Sequence, residues 1–207
     1  MPRRWLVALG ALMLAIAVPA ASNTASVGRD DPVEQAFLRS VRQYVALRDE
    51  ATRGAPPPES SPDPGEIHAA TEARAGAIAA ARADARIGDV FTTEVQDPLR
   101  DRIRNALADH GYSEGDMLLF INQDSDPRAV VAVNGAFPWA FGSAMVPPCV
   151  IAALPPLPAG LEYRFARTAL VLVDVDANLI VDILSEVLRE LSYARRSEPA
   201  DAPAGYE

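Results

Sequence analysis

The sequence predicts an α+β fold: three or four N-terminal helices, then a small antiparallel β-meander of about four strands and a short C-terminal helix. Two patterns support this prediction. Between residues 30 and 121, apolar side chains recur every three or four positions, as they do in amphipathic helices. Between residues 161 and 183, short runs rich in Val, Ile and Leu alternate with polar turns, as they do in paired strands.

The first 25 residues have the layout of a secretory signal peptide. Arg3 and Arg4 give a positive start, residues 5–18 are apolar except for Gly10, and the small residues at 19–22 suit a signal peptidase. The apolar run is shorter than the roughly 20 residues that a membrane span needs. We therefore predict a cleaved signal and a periplasmic or secreted mature protein; retention by an N-terminal signal anchor is the alternative.

The segment 26–54 is predicted to form one amphipathic helix over residues 30–53. Asp30 or Asp31 suits its N-cap, because a carboxylate there can accept the free N–H groups of the first turn. Residues 55–64 follow as a proline-rich linker, with five prolines in ten positions. This composition favours a stiff, extended chain.

The helical region 65–125 is expected to add three helices. The second helix runs from an N-cap at Asp63 to about Arg86, the third covers residues 94–110 unless Pro98 delays its start to Asp97, and a short fourth follows Ser113. The second helix is rich in alanine, which has high helix propensity but buries little area. We therefore expect it to add little to the core.

The region 126–195 is predicted to contain the small sheet and the C-terminal helix. Strands are expected at 128–133, 161–165, 170–173 and 179–183, with an Asn134-Gly135 hairpin turn after the first and turns at 167–168 and 175–178. Residues 137–160 are expected to be irregular, residues 186–195 helical, and the tail 196–207 disordered.

Charge and composition exclude several classes of function. The 28 acidic and 19 basic residues give a formal charge of −9, which argues against nucleic acid as a partner. One cysteine, Cys149, rules out an intrachain disulfide, and only two histidines, His68 and His110, are present for a metal site. No nucleotide-binding or Cys-x-x-Cys motif occurs, so we predict no cofactor and no metal.

Candidate catalytic groups are few. The carboxylate pairs Asp174/Asp176 and Asp182/Glu186 have the chemistry for acid and base, but acidic residues are common in this chain. The Asp174–Asn178 stretch lacks the glycine and glutamate of a calcium-binding EF-hand loop and is predicted to be a polar turn. No pattern in the sequence places a general base next to Cys149, so we predict that its thiol is buried and inert. No catalytic residue is assigned.

The best surface candidate is an aromatic triplet, Phe137, Trp139 and Phe141. Three rings at alternating positions lie on one side of an extended segment, and aromatic side chains are enriched at interfaces. We predict a partner-binding patch here. In the alternative interpretation, the rings cover the core beneath a long loop.

Several segments together resemble a family of exported bacterial proteins of unknown function. The likeness is carried by residues 154–158 (LPPLP), 161–165 (LEYRF) and 170–182 (LVLVDVDANLIVD), with residues 65–70 and 88–92 upstream. It implies the order signal, helices, proline-rich bridge and small strand unit, but no activity, cofactor or site residue. Residues 154–165 also resemble small periplasmic metal-homeostasis proteins.

These observations predict a non-catalytic protein outside the cytoplasm, a binding or interaction module of the bacterial envelope. Its partner is expected to be another envelope protein or a wall component, with no nucleic acid and with membrane contact only during export. Two alternatives remain open: a small envelope hydrolase that uses carboxylates, and a low-affinity metal or stress-response protein.

The predicted signal peptide is testable by mass. When the full chain is expressed in a bacterium, the exported protein should begin between about Ala21 and Ser26, because the small residues there suit signal peptidase. Intact-mass spectrometry of the periplasmic fraction and the medium measures this start. Recovery of exported protein that still carries Met1 would instead support the signal anchor.

Overall fold

The computed structural model describes residues 31–55, 61–123, 129–138 and 146–189. Within these ranges, five helices precede a three-stranded sheet. The elements are α1 (Pro32–Ala51), α2 (Pro64–Ala81), α3 (Thr93–Asp109), α4 (Glu114–Asn122), α5 (Pro148–Ala153), β1 (Leu161–Ala166), β2 (Ala169–Asp174) and β3 (Leu179–Leu184). The predicted α+β class and antiparallel meander are confirmed.

Helix α1 begins as its sequence predicts. The Asp31 carboxylate accepts the Val33 backbone N–H at 3.0 Å, and a proline occupies the first turn. Its inward face places Phe37, Val41 and Tyr44 in the core. The Phe37 ring stacks on the Phe91 ring with 5.4 Å between centroids, which contributes beyond simple burial.

Helix α2 ends at Ala81, five residues before the predicted end at Arg86. The carbonyl of Arg82 accepts the Ala85 N–H at 2.9 Å and the Asn134 side-chain amide at 3.0 Å, so the chain turns here. Ile78 is the buried residue of this helix. As expected from its composition, α2 adds little to the core.

Helix α3 begins at Thr93 and continues through Pro98, so the proline does not delay its start to Asp97. Proline removes one backbone donor from a helix interior. Packing offsets this cost, because the whole inner face of α3 is buried at 1% exposure or less: Val95, Leu99, Ile103 and Leu107.

Helix α4 follows its predicted N-cap, since the Ser113 hydroxyl accepts the Asp116 N–H at 3.0 Å. The stretch 137–160 is less irregular than predicted, because it contains the short helix α5. Val150 of α5 is fully buried in the core, next to α3.

The sheet has the order β1-β2-β3, and each strand lies within about one residue of its predicted position. Its two turns also occur where the polar residues predict them. Arg167 (φ 56°) and Asn178 (φ 45°) adopt left-handed backbone conformations in these turns. Asparagine tolerates this region better than most residues.

A β-bulge interrupts the pairing of β2 with β3. Leu172 pairs with Asp182, whereas Val173 pairs with Ile180, so Val181 is an extra residue on β3. Two consecutive side chains, those of Val181 and Asp182, therefore reach the helical face of the sheet. The bulge turns an aspartate inward in a strand that is otherwise apolar.

The two faces of the sheet pack into separate cores. The helical face packs against all five helices, α1 through α5, in the main core. On the opposite face, a smaller cluster includes Val171, Val173, Ile180 and Ile183 of the strands, covered by Phe137 and by alternate residues of the stretch 129–133.

The predicted strand over 128–133 does not form in its described part, residues 129–133. The edge of β3 is instead occupied by the residues that follow. Ile180 donates its N–H to the Gly135 carbonyl at 2.8 Å, and Phe137 donates to the Asn178 carbonyl at 3.1 Å. The Asn134-Gly135 turn thus leads the chain onto the sheet edge and does not close a hairpin of two strands.

Three predicted segments lie wholly or mainly beyond the described residues. The signal sequence and the tail fall outside them entirely. Of the predicted C-terminal helix, residues 186–189 are described; they are not helical, and Glu186 has φ 57°.

Candidate functional site

Two aspartates are buried on the helical face of the sheet. Asp174 is the last residue of β2, and Asp182 lies at the β3 bulge; both side chains have 0% exposure. A buried carboxylate is stable only when nearby donors or charges replace the lost water. The partners of these two residues determine the structure around the site.

Asp182 is satisfied by backbone N–H groups alone. Its Oδ1 accepts from Gly88 at 2.9 Å and Ile183 at 2.8 Å, and its Oδ2 accepts from Val90 and Phe91 at 2.7 Å each. Burial raises the pKa of Asp182, while the four N–H groups oppose that shift and favour the ionised form. The carboxylate thereby fixes the loop between α2 and α3 to the sheet.

The loop depends on a glycine at its first contact with Asp182. Gly88 has φ +97°, a region that L-residues with a side chain rarely adopt. This conformation brings its N–H to the Asp182 carboxylate.

Asp174 connects α1 to the sheet. The Tyr44 hydroxyl donates to its Oδ2 at 2.8 Å, the Arg48 guanidinium lies 3.6 Å away, and Ala177 donates its N–H to Oδ1 at 3.2 Å. Burial raises the pKa of Asp174 above its ordinary value, against the effects of Tyr44 and Arg48. Burial and the neighbouring Asp174 raise the pKa of the Tyr44 hydroxyl.

Arg82 lies against the other side of Tyr44. Its guanidinium carbon is 5.2 Å from the centre of the Tyr44 ring, a cation–π arrangement. The guanidinium makes no hydrogen bond to any residue that the structure describes, and its Nη1 is buried without a partner. Burial lowers the pKa of Arg82, although arginine remains charged at neutral pH.

These residues border an open groove of about 380 Å³ between α1 and the stretch 81–90. Helix α1 contributes Ser40, Gln43 and Tyr44, and the other wall contributes Arg82, Asp84 and Asp89; the remaining lining residues are uncharged. The groove therefore contains one cation and two carboxylates. The buried Asp174 and Asp182 do not line it.

The structure addresses one ring of the predicted aromatic patch. Phe137 is 2% exposed, packs in the smaller core and lies under the Arg164 guanidinium at 5.1 Å. It therefore covers the core, as in the alternative interpretation. Trp139 and Phe141 lie outside the described residues.

The other sequence candidates lie apart from the groove lining. His68 is exposed and pairs with Glu72 at 3.3 Å, and His110 contacts the Ala106 carbonyl at 2.9 Å. Cys149 is half-buried and packs against the main core. Among the described residues, no three or more His, Cys, Asp or Glu side chains group as a metal site would require.

The sequence does not mark the groove. Tyr44 and Arg82 lie within two predicted helices, and Asp182 stands out only as half of a candidate acid–base pair. One signal was available: Asp182 interrupts the apolar strand Leu179–Leu184, where a charge needs dedicated partners. Those partners are backbone groups, so no residue type in the sequence marks them.

Comparisons with protein-family models, curated proteins and solved structures found no match to this chain. The interpretation of the groove therefore depends on its own geometry. A search of the described helices found none with the length and hydropathy needed to cross a bilayer.

The Asp182 contacts predict a large effect of Asp182→Asn. The asparagine amide has one acceptor oxygen, so two of the four backbone N–H groups would face a donor. Each N–H group left without an acceptor costs about 1–3 kcal/mol of stability. We expect unfolding free energy to fall by roughly 2–6 kcal/mol in urea denaturation. Glu162→Gln makes the same charge change at an exposed site of β1 and should cost under about 1 kcal/mol. Equal effects of the two variants would contradict the anchoring role.

The environment of Asp174 predicts a pH effect. In the folded protein the pKa of Asp174 is raised above the ordinary 3.8, so its carboxyl group binds a proton more tightly than it does in the unfolded chain. This tighter proton binding stabilises the folded state. The stabilisation is complete below the unfolded pKa and is lost as the pH rises through the folded pKa. Asp174→Asn cannot titrate there.

Wild type should therefore lose stability relative to Asp174→Asn as the pH rises from about 4 to about 7. Urea denaturation of both proteins across this range measures the difference, in which the contribution of Asp182 cancels. A difference that stays constant, or that changes in favour of the wild type, would show that the pKa of Asp174 is not raised.

Proposed function

We propose that this protein is an exported, non-catalytic binding protein of the bacterial envelope, and that the groove between α1 and the stretch 81–90 is its ligand contact. One observation carries the choice of this groove. Arg82 lines an open groove with a guanidinium that makes no hydrogen bond to the described residues. The Nη1 of Arg48 also lacks a hydrogen bond, but Arg48 forms ion pairs with Asp49 and Asp174. Arg82 forms no ion pair with a described residue, although the charges of Asp89 and Asp182 attract it at longer range.

The proposal of export rests on the N-terminal sequence. The arginines, apolar run and small residues of positions 3–22 support a cleaved signal, and the resemblance to exported bacterial proteins of unknown function supports the same location. The expected partner is accordingly an envelope protein or a wall component.

Binding is favoured over carboxylate hydrolysis by the burial of the aspartates. A general acid or base must come within hydrogen-bonding distance of its substrate. Asp174 and Asp182 have no exposed surface, and their oxygens accept hydrogen bonds from the protein itself. Their raised pKa values are explained by burial at structural positions.

A bulky side chain in the groove should remove binding. Gln43→Trp fills the α1 wall, and Asn105→Trp makes the same amide-to-indole change on the exposed surface of α3, outside the groove. The full-length protein and both variants, recovered after expression in a bacterium, serve as bait for envelope extracts, and mass spectrometry quantifies the bound proteins and small molecules.

Wild type and Asn105→Trp should retain the same envelope component in equal amounts. Gln43→Trp should retain at least about tenfold less of it. Equal retention by both variants would remove the groove from the proposal. Failure to capture anything specific, together with cleavage of wall or peptide substrates by the protein alone, would favour the hydrolase instead.

A further inference from the structure

We propose that the groove recognises a zwitterionic amino acid or short peptide, with the ligand carboxylate on Arg82 and the ligand ammonium group near Asp84 and Asp89. This inference rests on the proposed function, because it names the ligand class of the same groove. It follows from the charges that line the groove, from the groove's size and from its neutral wall.

Arg82 is suited to a carboxylate. A guanidinium offers five N–H donors in a planar fork, which matches the two oxygens of a carboxylate. The Tyr44 ring lies beneath the fork at 5.2 Å, and Tyr44 is itself fixed by its hydrogen bond to Asp174. The Arg82 side chain is half-exposed, so a ligand can approach it without unfolding the loop.

The two carboxylates determine the rest of the ligand. Asp84 and Asp89 are exposed and line the same groove as Arg82. The Asp89 Oδ2 accepts the Arg86 N–H at 2.9 Å, which positions this carboxylate. One cation and two anions give the lining a net charge of −1, so a ligand bearing both a carboxylate and an ammonium group matches it best.

Charge excludes the simplest alternatives. A phosphate-type ligand would meet two carboxylates in the groove and a chain with a formal charge of −9. A bare divalent cation would lie in a groove that also contains the Arg82 guanidinium, which repels it. A zwitterion avoids both repulsions.

The size and the neutral wall limit the ligand to a small one. A groove of about 380 Å³ lies at the lower end of small-molecule sites, which span about 300–1,000 Å³. Ser40 and Gln43 place a hydroxyl and an amide along the α1 wall, where a peptide bond of the ligand can exchange hydrogen bonds. These dimensions suit a single amino acid or a dipeptide.

The test uses three forms of one dipeptide. The full-length protein is titrated by calorimetry with alanyl-alanine, with its N-acetyl derivative and with its C-terminal amide. Arg82→Gln removes the cation of the groove and Asp84→Asn removes one of its two carboxylates. Arg53→Gln is the matched control, because Arg53 is an exposed arginine just after α1 and outside the lining. Melting temperatures show whether each variant is folded.

We expect alanyl-alanine to bind and each blocked form to bind at least about tenfold more weakly. Arg82→Gln should weaken the free dipeptide but leave the C-terminal amide unaffected, because the amide has no carboxylate to lose. Asp84→Asn should weaken binding of the free dipeptide but not of the N-acetyl form, and Arg53→Gln should match wild type. This double selectivity would not arise from a merely structural Arg82.

Two results would overturn the inference. If no form of the dipeptide binds to the folded protein, or if blocking either end has no effect, the ligand is not a zwitterion of this kind. If the envelope capture described above still depends on Gln43, the proposed function survives and only the ligand class is wrong. If that capture also fails, the groove itself is not a binding site.

Discussion

The buried carboxylate of Asp182 is the constraint on which the rest of this structure depends. An ionised group inside an apolar sheet costs several kcal/mol unless donors surround it. The β3 bulge turns Asp182 toward the helices, and four backbone N–H groups meet it, three of them from residues 88–91. The connection between α2 and α3 is therefore bound to the sheet, although it contains no regular secondary structure.

A second buried carboxylate does the same for the first helix. Asp174 accepts the Tyr44 hydroxyl and pairs with Arg48, so two side chains of α1 are anchored at the end of β2. Between these two anchors lies the groove, with one wall held through Asp174 and the other through Asp182. A groove whose walls are both fixed loses little conformational entropy when it binds a ligand.

The charged side chains divide into two groups by their use. Asp174, Asp182 and Arg48 have partners inside the protein and support the fold. Arg82, by contrast, is held by the Tyr44 ring and makes no hydrogen bond to the described residues, and it shares the groove with two exposed carboxylates. This division separates charges that are satisfied within the protein from charges that line the groove, and burial is the main cause of the raised pKa of both aspartates.

The local sequence determined the helices, strands and turns, because caps, apolar spacing and turn residues act over a few positions. Asp31 and Ser113 begin their helices, and the strand boundaries follow the apolar runs. The early end of α2, the missing strand before Asn134 and the groove were decided by the tertiary structure. Each of these depends on backbone groups that meet a distant partner: Arg82 O with Asn134, Gly135 with β3, and the loop N–H groups with Asp182. Backbone donors and acceptors are the same in almost every residue, so the sequence does not record which of them will meet, and only the folded chain selects them.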